Sequence, residues 1–364
     1  MSLQAPGDLA VGTGHDVDLV TQTLAQARAD VLAELERLFE RRRQTGYGPL
    51  YDLLADYPFR EGKGLRPAIC FAACRAVGGR TEQALLSASA LELFHNAFLV
   101  HDDVEDGSQF RRGRVTLFQE HGAPVAINVG DATNVLAMDL LLANTTALGV
   151  RKALLVFREV ERMARESAEG QAIELGWISA SNFDLGDRDY VRMAYKKTCW
   201  YTVIAPLRIG VICGSAPGAL APLEDELVPL IELGFLAGIA FQIHDDLLNL
   251  EADEALYGKE TSGDLWEGKR TVMLLHFMRT VRGATRARAL KLLRTPRTQK
   301  GPEDVAWLLE AMIEAGSLEH GRRLALDYSE RALAFDEAGL PFLQENEARR
   351  FLREMLRYVI ERVK

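Results

Sequence analysis

The sequence predicts an all-α protein whose long helices form one bundle. Apolar residues recur at three- and four-residue spacing along most of the 364-residue chain, and this is the period of an amphipathic helix. Alternating apolar and polar runs, which indicate strands, are nearly absent. The hydrophobic fraction of 48% is enough to fill a large core between such helices. A single helical domain is therefore the simplest architecture.

Glycine and proline divide the chain into predicted helices, because both residues interrupt helical backbone. The predicted helices span residues 18–43, 67–77, 83–106, 123–147, 151–178, 188–214, 224–250, 270–282, 303–315, 319–337 and 345–362. The breaks between them are Gly62 and Gly64, Gly78 and Gly79, Gly107, Gly122, Gly186, Pro217 and Gly218, and Pro302.

Two regions stand apart from this regular pattern. Residues 1–15 are predicted to be a flexible tail, so that residues 16–364 form the domain. The basic segment 284–302 is expected to begin as helix and to end as a loop.

Composition excludes several classes of protein. The net charge of −9 argues against general nucleic-acid binding, which requires a basic surface. The four cysteines show no CxxC spacing and are interpreted as small buried side chains in a reducing compartment. The N-terminus lacks the pattern of a secretory signal. The longest apolar runs contain Arg208 and Glu232 and are not predicted to span a membrane. We therefore expect a cytoplasmic protein.

An apolar helix leads directly into acidic residues in the sequence LVHDDVEDGSQFRRGR at 99–114. Asp102 and Asp106 project side by side at i and i+4, Asp103 lies next to them, and Gly107 is expected to end the helix. Acids at a helix C-terminus are unfavourable because the helix dipole is negative there. A solvated helix end is one explanation. A magnesium site is the alternative, since Mg²⁺ binds carboxylates together with phosphate oxygens and water.

The same arrangement returns in FQIHDDLLN at 241–249. Gln242, Asp245, Asp246 and Asn249 lie at i, i+3, i+4 and i+7 on one helical face. Basic residues follow this cluster, as they follow the first. If the two helices face each other, their carboxylates can share metal ions around one diphosphate.

Basic side chains lie in positions suited to such an anion. Lys63 and Arg66 occupy the glycine-rich sequence GKGLRP, in which Pro67 is expected to be the first helical residue. Arg111 and Arg112 follow the first acidic helix closely enough to curl back towards it. Further candidates lie on predicted helices, and each taken alone is equally typical of an ordinary core or surface residue: His95, Gln171, Glu174, Lys197 and Thr198.

Together these motifs resemble the trans-isoprenyl diphosphate synthases, the polyprenyl synthetase family, from about residue 50 to the C-terminus. The resemblance implies the isoprenoid synthase fold, in which helices surround a central cavity. The first aspartate-rich motif of the family, DDxxD, is matched by Asp102, Asp103 and Asp106. The second is matched by Asp245 and Asp246, with Asn249 in place of the usual last aspartate.

The resemblance also implies the role of each residue. Several ions of Mg²⁺, or of Mn²⁺ as a substitute, would be held by Asp102, Asp103, Asp106, Asp245, Asp246 and Asn249. The diphosphate of isopentenyl diphosphate would be bound by Lys63, Arg66, His95 and Arg112. The allylic diphosphate would be bound by Arg111, Lys197, Thr198, Gln242, Lys259 and Lys269. The residues implied in catalysis are Asp102, Asp103, Asp106, Arg111, Lys197, Asp245 and Asp246. The pair Gln171 and Glu174 matches a Gln/Asp pair near the metals.

The implied reaction is the head-to-tail condensation of isopentenyl diphosphate with an allylic diphosphate, in a homodimer. The acids are not expected to need direct pairing with the arginines, because the implied magnesium ions would bridge them to the allylic diphosphate. In the family, side-chain bulk before the first motif sets product length. The resemblance implies that Ala97 would open the tunnel beyond C15 and that Phe98 and Phe94 would limit it, so the C20 product geranylgeranyl diphosphate is predicted. Farnesyl diphosphate (C15) and longer products stay open.

Three other functions compete with this one. A class I terpene cyclase also has a DDxxD helix, but it needs no second diphosphate site, and DDLLNLEAD at 245–253 fits its second motif poorly. A non-catalytic subunit of a heteromeric synthase would be expected to lose an aspartate motif. A purely structural helical protein explains neither acidic cluster.

Overall fold

The computed structural model of the protein describes residues 17–216, 223–251 and 262–361. It confirms the all-α prediction. The first half of the chain forms α1 (Val17–Thr45), α2 (Gly48–Phe59), α3 (Leu65–Ala76), α4 (Thr81–Asp106), α5 (Leu117–His121), α6 (Ala123–Ala147) and α7 (Val150–Ser179). Between α4 and α5 lies a small hairpin, formed by β1 (Phe110–Arg111) and β2 (Arg114–Val115).

The second half begins with a continuous helical stretch, whose middle is π-helical. It consists of α8 (Asp187–Ala194), the π segment (Tyr195–Ile204) and α9 (Ala205–Gly214). The remaining helices are α10 (Leu223–Glu251), α11 (Gly263–Glu267), α12 (Val272–Thr280), α13 (Gly283–Arg294), α14 (Pro302–Glu314), α15 (Ser317–Gly339) and α16 (Glu347–Glu361). The basic segment begins as helix, as expected, and a 3₁₀ turn at Arg297–Gln299 follows α13.

The structure adds elements that periodicity did not predict. Helices α2, α5 and α11 and the hairpin are too short, or too uniformly apolar, to show a helical or strand period. The hairpin turns through Arg112 and Gly113, both in the left-handed region at φ 54° and φ 72°. Helix α3 begins at Leu65, so the expectation that Pro67 is its first residue was wrong. Pro67 is still within the first turn, where the backbone N–H groups have no partner within the helix.

The core consists of two apolar clusters. The first joins α1, α3, α4, α6 and α9, and the second joins the π segment to α10, α12, α14 and α15. Close approach of helices requires glycine, since a Cβ on Gly210 of α9 would lie 2.3 Å from the carbonyl oxygen of Cys70 in α3. All four cysteines are buried and free. This burial agrees with their interpretation as core side chains.

Two described helices are long and apolar enough to cross a membrane by composition alone. They are Ala123–Ala147 and Leu227–Glu251, and 44% and 61% of their most apolar windows are buried inside the protein. Buried core helices of soluble proteins have the same composition, so neither helix is a clear membrane span. The predicted tail at 1–15, the break at Pro217 and Gly218, and Lys259 lie outside the described residues.

Candidate active site

The end of α4 brings the first acidic cluster and its arginines together. Gly107 adopts φ 65°, and its N–H donates to the carbonyl of Asp103. This left-handed residue reverses the chain at no steric cost. The hairpin that follows therefore folds back, and Arg111 reaches Asp103 at the end of α4. Arg112 instead donates to the carbonyl of Tyr57 in α2 at 3.2 Å. The expectation that Gly107 ends the helix is confirmed.

Asp103 is fully buried and its carboxylate is held on both sides. Oδ2 accepts a hydrogen bond from the Tyr57 hydroxyl at 2.5 Å. Oδ1 accepts from Arg111 Nε at 3.0 Å and from Arg111 Nη2. The acids were not expected to need direct pairing with arginines, but the structure shows Asp103 paired with Arg111. A carboxylate with 0% exposure needs a paired charge in place of water, and Arg111 supplies it.

Asp102 and Asp106 face the cations expected to bind the allylic diphosphate. Asp102 lies 3.5 Å from Arg111 Nη2 and 3.6 Å from Lys197 Nζ. Asp106 lies 2.7 Å from Lys269 Nζ. Burial raises the pKa of Asp106 to about 8, against the opposing effect of Lys269. These contacts bring basic groups from two distant segments to the first motif.

In the second acidic cluster, as in the first, one aspartate is buried and hydrogen-bonded while the other is more accessible. Asp246 is buried, and its oxygens accept hydrogen bonds from Tyr190 at 2.7 Å and from Gln242 at 2.6 Å. Gln242 in turn accepts from Thr198 at 2.6 Å. Burial raises the pKa of Asp246, and nearby Asp264 raises it further. Asp245 is half-buried, like Asp102. In each motif the second aspartate is anchored by a tyrosine and the first is more accessible.

Asn249 connects the second motif to α11. Its side-chain oxygen accepts from the backbone N–H of Asp264 at 3.0 Å, and its carbonyl accepts from Ser262 at 2.8 Å. These bonds hold the start of α11 against α10. Asp264 thereby comes near Asp246, although the sequence reasoning assigned it no role. The oxygen of Asn249 that was expected to bind metal is engaged by the backbone in this structure.

The π segment positions Lys197 and Thr198. It packs between α7 and α10, and a Cβ on Gly170 of α7 would lie 2.2 Å from the Lys197 backbone nitrogen. Lys197 forms an ion pair with Glu174, one turn after Gly170. Burial alone would lower the pKa of Lys197, but Glu174 and Asp102 raise it above its usual value. Short π segments are frequent at functional sites.

Gln171, the other member of the predicted helix pair, contacts a different acid. Its amide donates to Glu105 at 2.5 Å, and Glu105 lies on α4 between the aspartates of the first motif. Gln171 and Glu174 therefore join α7 to both the first motif and the π segment.

A second group of basic residues lies around Tyr201. The Arg66 guanidinium sits 4.5 Å from the centre of the Tyr201 ring and donates to Thr202 at 3.0 Å. The His95 ring stacks on the same tyrosine at 5.9 Å. Arg66 and His95 each have 9% exposure. The tyrosine thus holds two of the four residues expected to bind isopentenyl diphosphate.

Arg112 completes this second cationic group. Its guanidinium lies 3.2 Å from the position of a Cβ on Gly62, so the glycine-rich turn with exposed Lys63 passes directly over it. Burial lowers the pKa of Arg112, and nearby Glu92 opposes this effect. The charges of Arg111, Arg66 and Arg28 lower the pKa further. Clustered cations that repel each other are stabilised by an anion between them. The four predicted residues therefore share one region, and Arg28 of α1 adjoins it.

The residues expected to set product length lie next to this region. Phe98 packs edge-to-face on Tyr201 at 5.8 Å, and Phe94 lies 6.4 Å from Phe98. Ala97 has 0% exposure and Phe94 has 4%, whereas Phe98 is half-buried. Phe94, Ala97 and Phe98 thus form an apolar wall. This wall leads from the region of Arg66 and Arg112 into the helical bundle.

The sequence reasoning missed the residues that orient the site. Tyr57, Tyr190 and Tyr201 hold the charged groups, but a single tyrosine in an apolar segment is typical of a core residue. Arg28 was missed because it lies far along the chain from its neighbours in the site. Asp264 was noted downstream of the second motif but was given no role.

The carboxylates suit a hard metal ion such as Mg²⁺. Within the described residues, no three His, Cys, Asp or Glu side chains lie close enough together to hold a metal alone. Mg²⁺ commonly takes one or two carboxylates and completes its shell with water and phosphate oxygens. The accessible aspartates of the two motifs fit that mode of binding.

Residues 49–312 match the family model of the polyprenyl synthetases. The short chain isoprenyl diphosphate synthase of Methanothermobacter thermautotrophicus is 32% identical over 302 residues, covering 83% of this chain and 86% of that protein. The octaprenyl diphosphate synthase of Escherichia coli is 33% identical over 318 residues, covering 87% and 90%. These relatives differ in the product that their names give.

Solved structures show the same fold. The geranylgeranyl pyrophosphate synthase of Corynebacterium glutamicum, complexed with isoprenyl diphosphate and magnesium, superimposes with a TM-score of 0.82 at 26% identity, covering 93% of this chain and 99% of that one. The polyprenyl synthase of Caulobacter crescentus, complexed with calcium and isoprenyl diphosphate, gives 0.79 at 28% identity, covering 96% and 99%.

Proposed function

Because this chain belongs to the polyprenyl synthetase family and is a trans-prenyltransferase, we propose that it makes geranylgeranyl diphosphate (C20). The substrates are isopentenyl diphosphate and an allylic diphosphate. One observation supports a reaction with two diphosphate substrates: the described residues contain two separate cationic groups. Lys197 and Lys269 lie among the acids, whereas Arg66 and Arg112 lie by Tyr201 and Gly62. A terpene cyclase has no use for the second group.

We propose Mg²⁺ as the cofactor, with Mn²⁺ as a substitute. The metal would be held by Asp102, Asp106 and Asp245. Their carboxylates are either accessible or paired with cations that could pair with the diphosphate instead when it binds. Asp103 and Asp246, whose oxygens are already engaged, would orient the accessible aspartates. When bound, the metal supplies Lewis-acid neutralisation of the diphosphate as it leaves.

The protein's own residues bind the substrates, orient the site and exclude water. Lys197, Lys269 and Arg111 bind the allylic diphosphate, and Thr198 and Gln242 orient the neighbouring side chains. The bond between allylic C1 and oxygen breaks, and the double bond of isopentenyl diphosphate forms a new carbon–carbon bond to C1. The departing diphosphate takes the proton that isopentenyl diphosphate then loses. An apolar wall that includes Phe98 excludes water from the cationic carbon.

The product length is tested by incubation with Mg²⁺, isopentenyl diphosphate and, separately, dimethylallyl, geranyl and farnesyl diphosphates. The products are dephosphorylated and their chain lengths measured. A linear C20 alcohol from all three primers supports the proposal. A C15 alcohol or a ladder of longer chains would overturn the C20 assignment but keep the reaction class.

Ala97→Phe is expected to shorten the main product from C20 to C15. Ala97 is fully buried beside the apolar wall, and the added ring would fill space needed by the growing chain. Phe98→Ala, which removes a ring from the wall, should lengthen the product and tests the same idea if Ala97→Phe folds poorly. Both are measured by chain length at equal folded protein. An unchanged product from both variants would refute the role of these residues.

We also propose that the protein is a cytoplasmic homodimer. Large apolar side chains are exposed on α6 and α7, and a soluble protein seldom leaves such a surface uncovered. This apolar surface comprises Val135 (66% exposed), Leu142 (63%), Val150 (63%), Leu154 (59%) and Phe157 (42%). A second copy of the same chain is the partner that the family resemblance favours.

Leu142→Glu combined with Leu154→Glu is expected to convert the dimer into a monomer. The two charges would be buried without partners in the interface. Light scattering after size exclusion measures the mass. Val228→Glu is the matched control, because Val228 is equally exposed at 62% but lies on α10. A dimer that survives the double substitution would exclude this surface as the interface.

A further inference from the structure

We propose that Arg270 and Lys300 are positioning residues that hold Lys269 in the allylic diphosphate site. This inference rests on the proposed function, in which Lys269 binds the allylic diphosphate. Neither residue was assigned a role from the sequence. Both act on α11 and on the turn after it, which carry Asp264 and Lys269 into the site.

Arg270 is a buried arginine whose partners are backbone carbonyls. It has 2% exposure. Nε donates to the carbonyl of Asn182 at 3.2 Å, Nη2 to that of Trp177 at 3.1 Å, and Nη1 to that of Gly268. Its guanidinium also lies 4.3 Å from the centre of the Phe183 ring. One side chain thus ties the turn after α11 to the end of α7 and the segment that follows.

Lys300 secures the same short helix from another side. It has 9% exposure, and Nζ donates to the carbonyl of Leu265 at 3.1 Å and to that of Trp266. These carbonyls belong to the last turn of α11, where they have no partner within the helix. Cations are favoured at this end of a helix. Lys300 therefore caps α11 immediately before Lys269.

The position of Lys269 depends on this small element. Its backbone N–H donates to the carbonyl of Asp264 at 2.8 Å. Its Nζ lies 2.7 Å from Asp106 and 3.0 Å from Glu267. A five-residue helix does not hold its shape alone, because helix nucleation is unfavourable. The contacts of Arg270 and Lys300 supply the missing rigidity.

These two cations are costly to bury. Over the described ranges, neither has a carboxylate oxygen within the 4.0 Å of an ion pair, and burial lowers the pKa of Arg270 to about 10 and that of Lys300 to about 8. Apolar side chains of similar size would generally fill such space at lower cost. The geometry therefore points to a role for Arg270 and Lys300 in placing Lys269, in addition to any contribution that they make to stability.

The test separates binding of the two substrates. We expect Arg270→Met to raise the KM for the allylic diphosphate at least tenfold while changing the KM for isopentenyl diphosphate less than twofold. Lys300→Met should act in the same direction. Hydrogen exchange of the amides in residues 263–271 should become faster in both variants. A purely structural role would lower thermal stability without separating the two KM values.

Two further variants make the outcome decisive. Arg349→Met is the control, because Arg349 is a buried arginine outside the candidate site that also donates to carbonyls, those of Leu343 and Asp336. Unlike Arg270, it also forms an ion pair, with Glu345 at 2.8 Å. The substitution should lower stability and leave both KM values unchanged. Lys269→Ala is the reference and should raise the allylic KM.

An unchanged allylic KM in both Arg270→Met and Lys300→Met, together with a raised KM in Lys269→Ala, would overturn the positioning role alone. An unchanged allylic KM in Lys269→Ala would overturn both that role and the proposed binding role of Lys269. If Arg270→Met does not fold, Lys300→Met decides the question by the same comparison.

Discussion

Asp102→Ala is expected to reduce kcat about 1,000-fold or more, which corresponds to about 4 kcal/mol of transition-state stabilisation. The reason is that Asp102 is an accessible carboxylate of the first motif, and the proposed metal ions stabilise the leaving diphosphate by several kcal/mol. The fold should persist. The side chain is 22% exposed, and its cations stand 3.5 and 3.6 Å away, a geometry typical of weak ion pairs.

The measurement is initial-rate kinetics alongside thermal unfolding. Asp131→Ala is the matched control, since Asp131 is a nearby acid on α6 that pairs with His101 at 3.4 Å and is 69% exposed. It should retain normal turnover. Near-normal turnover in Asp102→Ala would contradict the metal role, whereas unfolding of the variant would contradict the expectation that the fold persists.

Arg112→Gln is expected to raise the KM for isopentenyl diphosphate by about 10- to 100-fold, since a hydrogen bond to a charged group contributes about 1.5–3 kcal/mol. The KM for the allylic diphosphate should change little. Arg112 lies against the Gly62 turn with Arg111, Arg66 and Arg28 nearby and Glu92 as an opposing charge, and we propose that the diphosphate of isopentenyl diphosphate binds to this group. Rates measured against one substrate, with the other saturating, separate the two constants.

Arg114→Gln is the control for this substitution. Arg114 lies two residues further along the same hairpin, is 60% exposed and pairs with Asp56 at 2.8 Å. Removing its charge tests whether any arginine of the hairpin has the same effect. Equal KM changes in both variants would refute a specific role for Arg112.

The long helices could be predicted because their pattern is local. Helix α6 has the predicted bounds of 123–147, since Gly122 precedes it and its apolar period is unbroken. The π segment could not be predicted, because its wider turn depends on packing between α7 and α10. The close contact of Gly170 with Lys197 is visible only once the helices are assembled.

The acidic motifs were recognisable because their spacing puts carboxylates on one helical face. Their partners were not. Tyr57 and Asp103 are 46 residues apart and Tyr190 and Asp246 are 56 apart, so no local pattern joins them. The structure thereby separates anchored from accessible aspartates, which the motif alone treats as equivalent.

The most direct test of the proposed reaction is its stoichiometry. Isopentenyl diphosphate labelled at C1 is incubated with farnesyl diphosphate and Mg²⁺, and released diphosphate is counted against label incorporated into prenyl product. We expect one diphosphate for each isopentenyl unit incorporated, and neither product without both substrates. Release of diphosphate and a hydrocarbon from farnesyl diphosphate alone, with no label incorporated, would contradict condensation and indicate a cyclase.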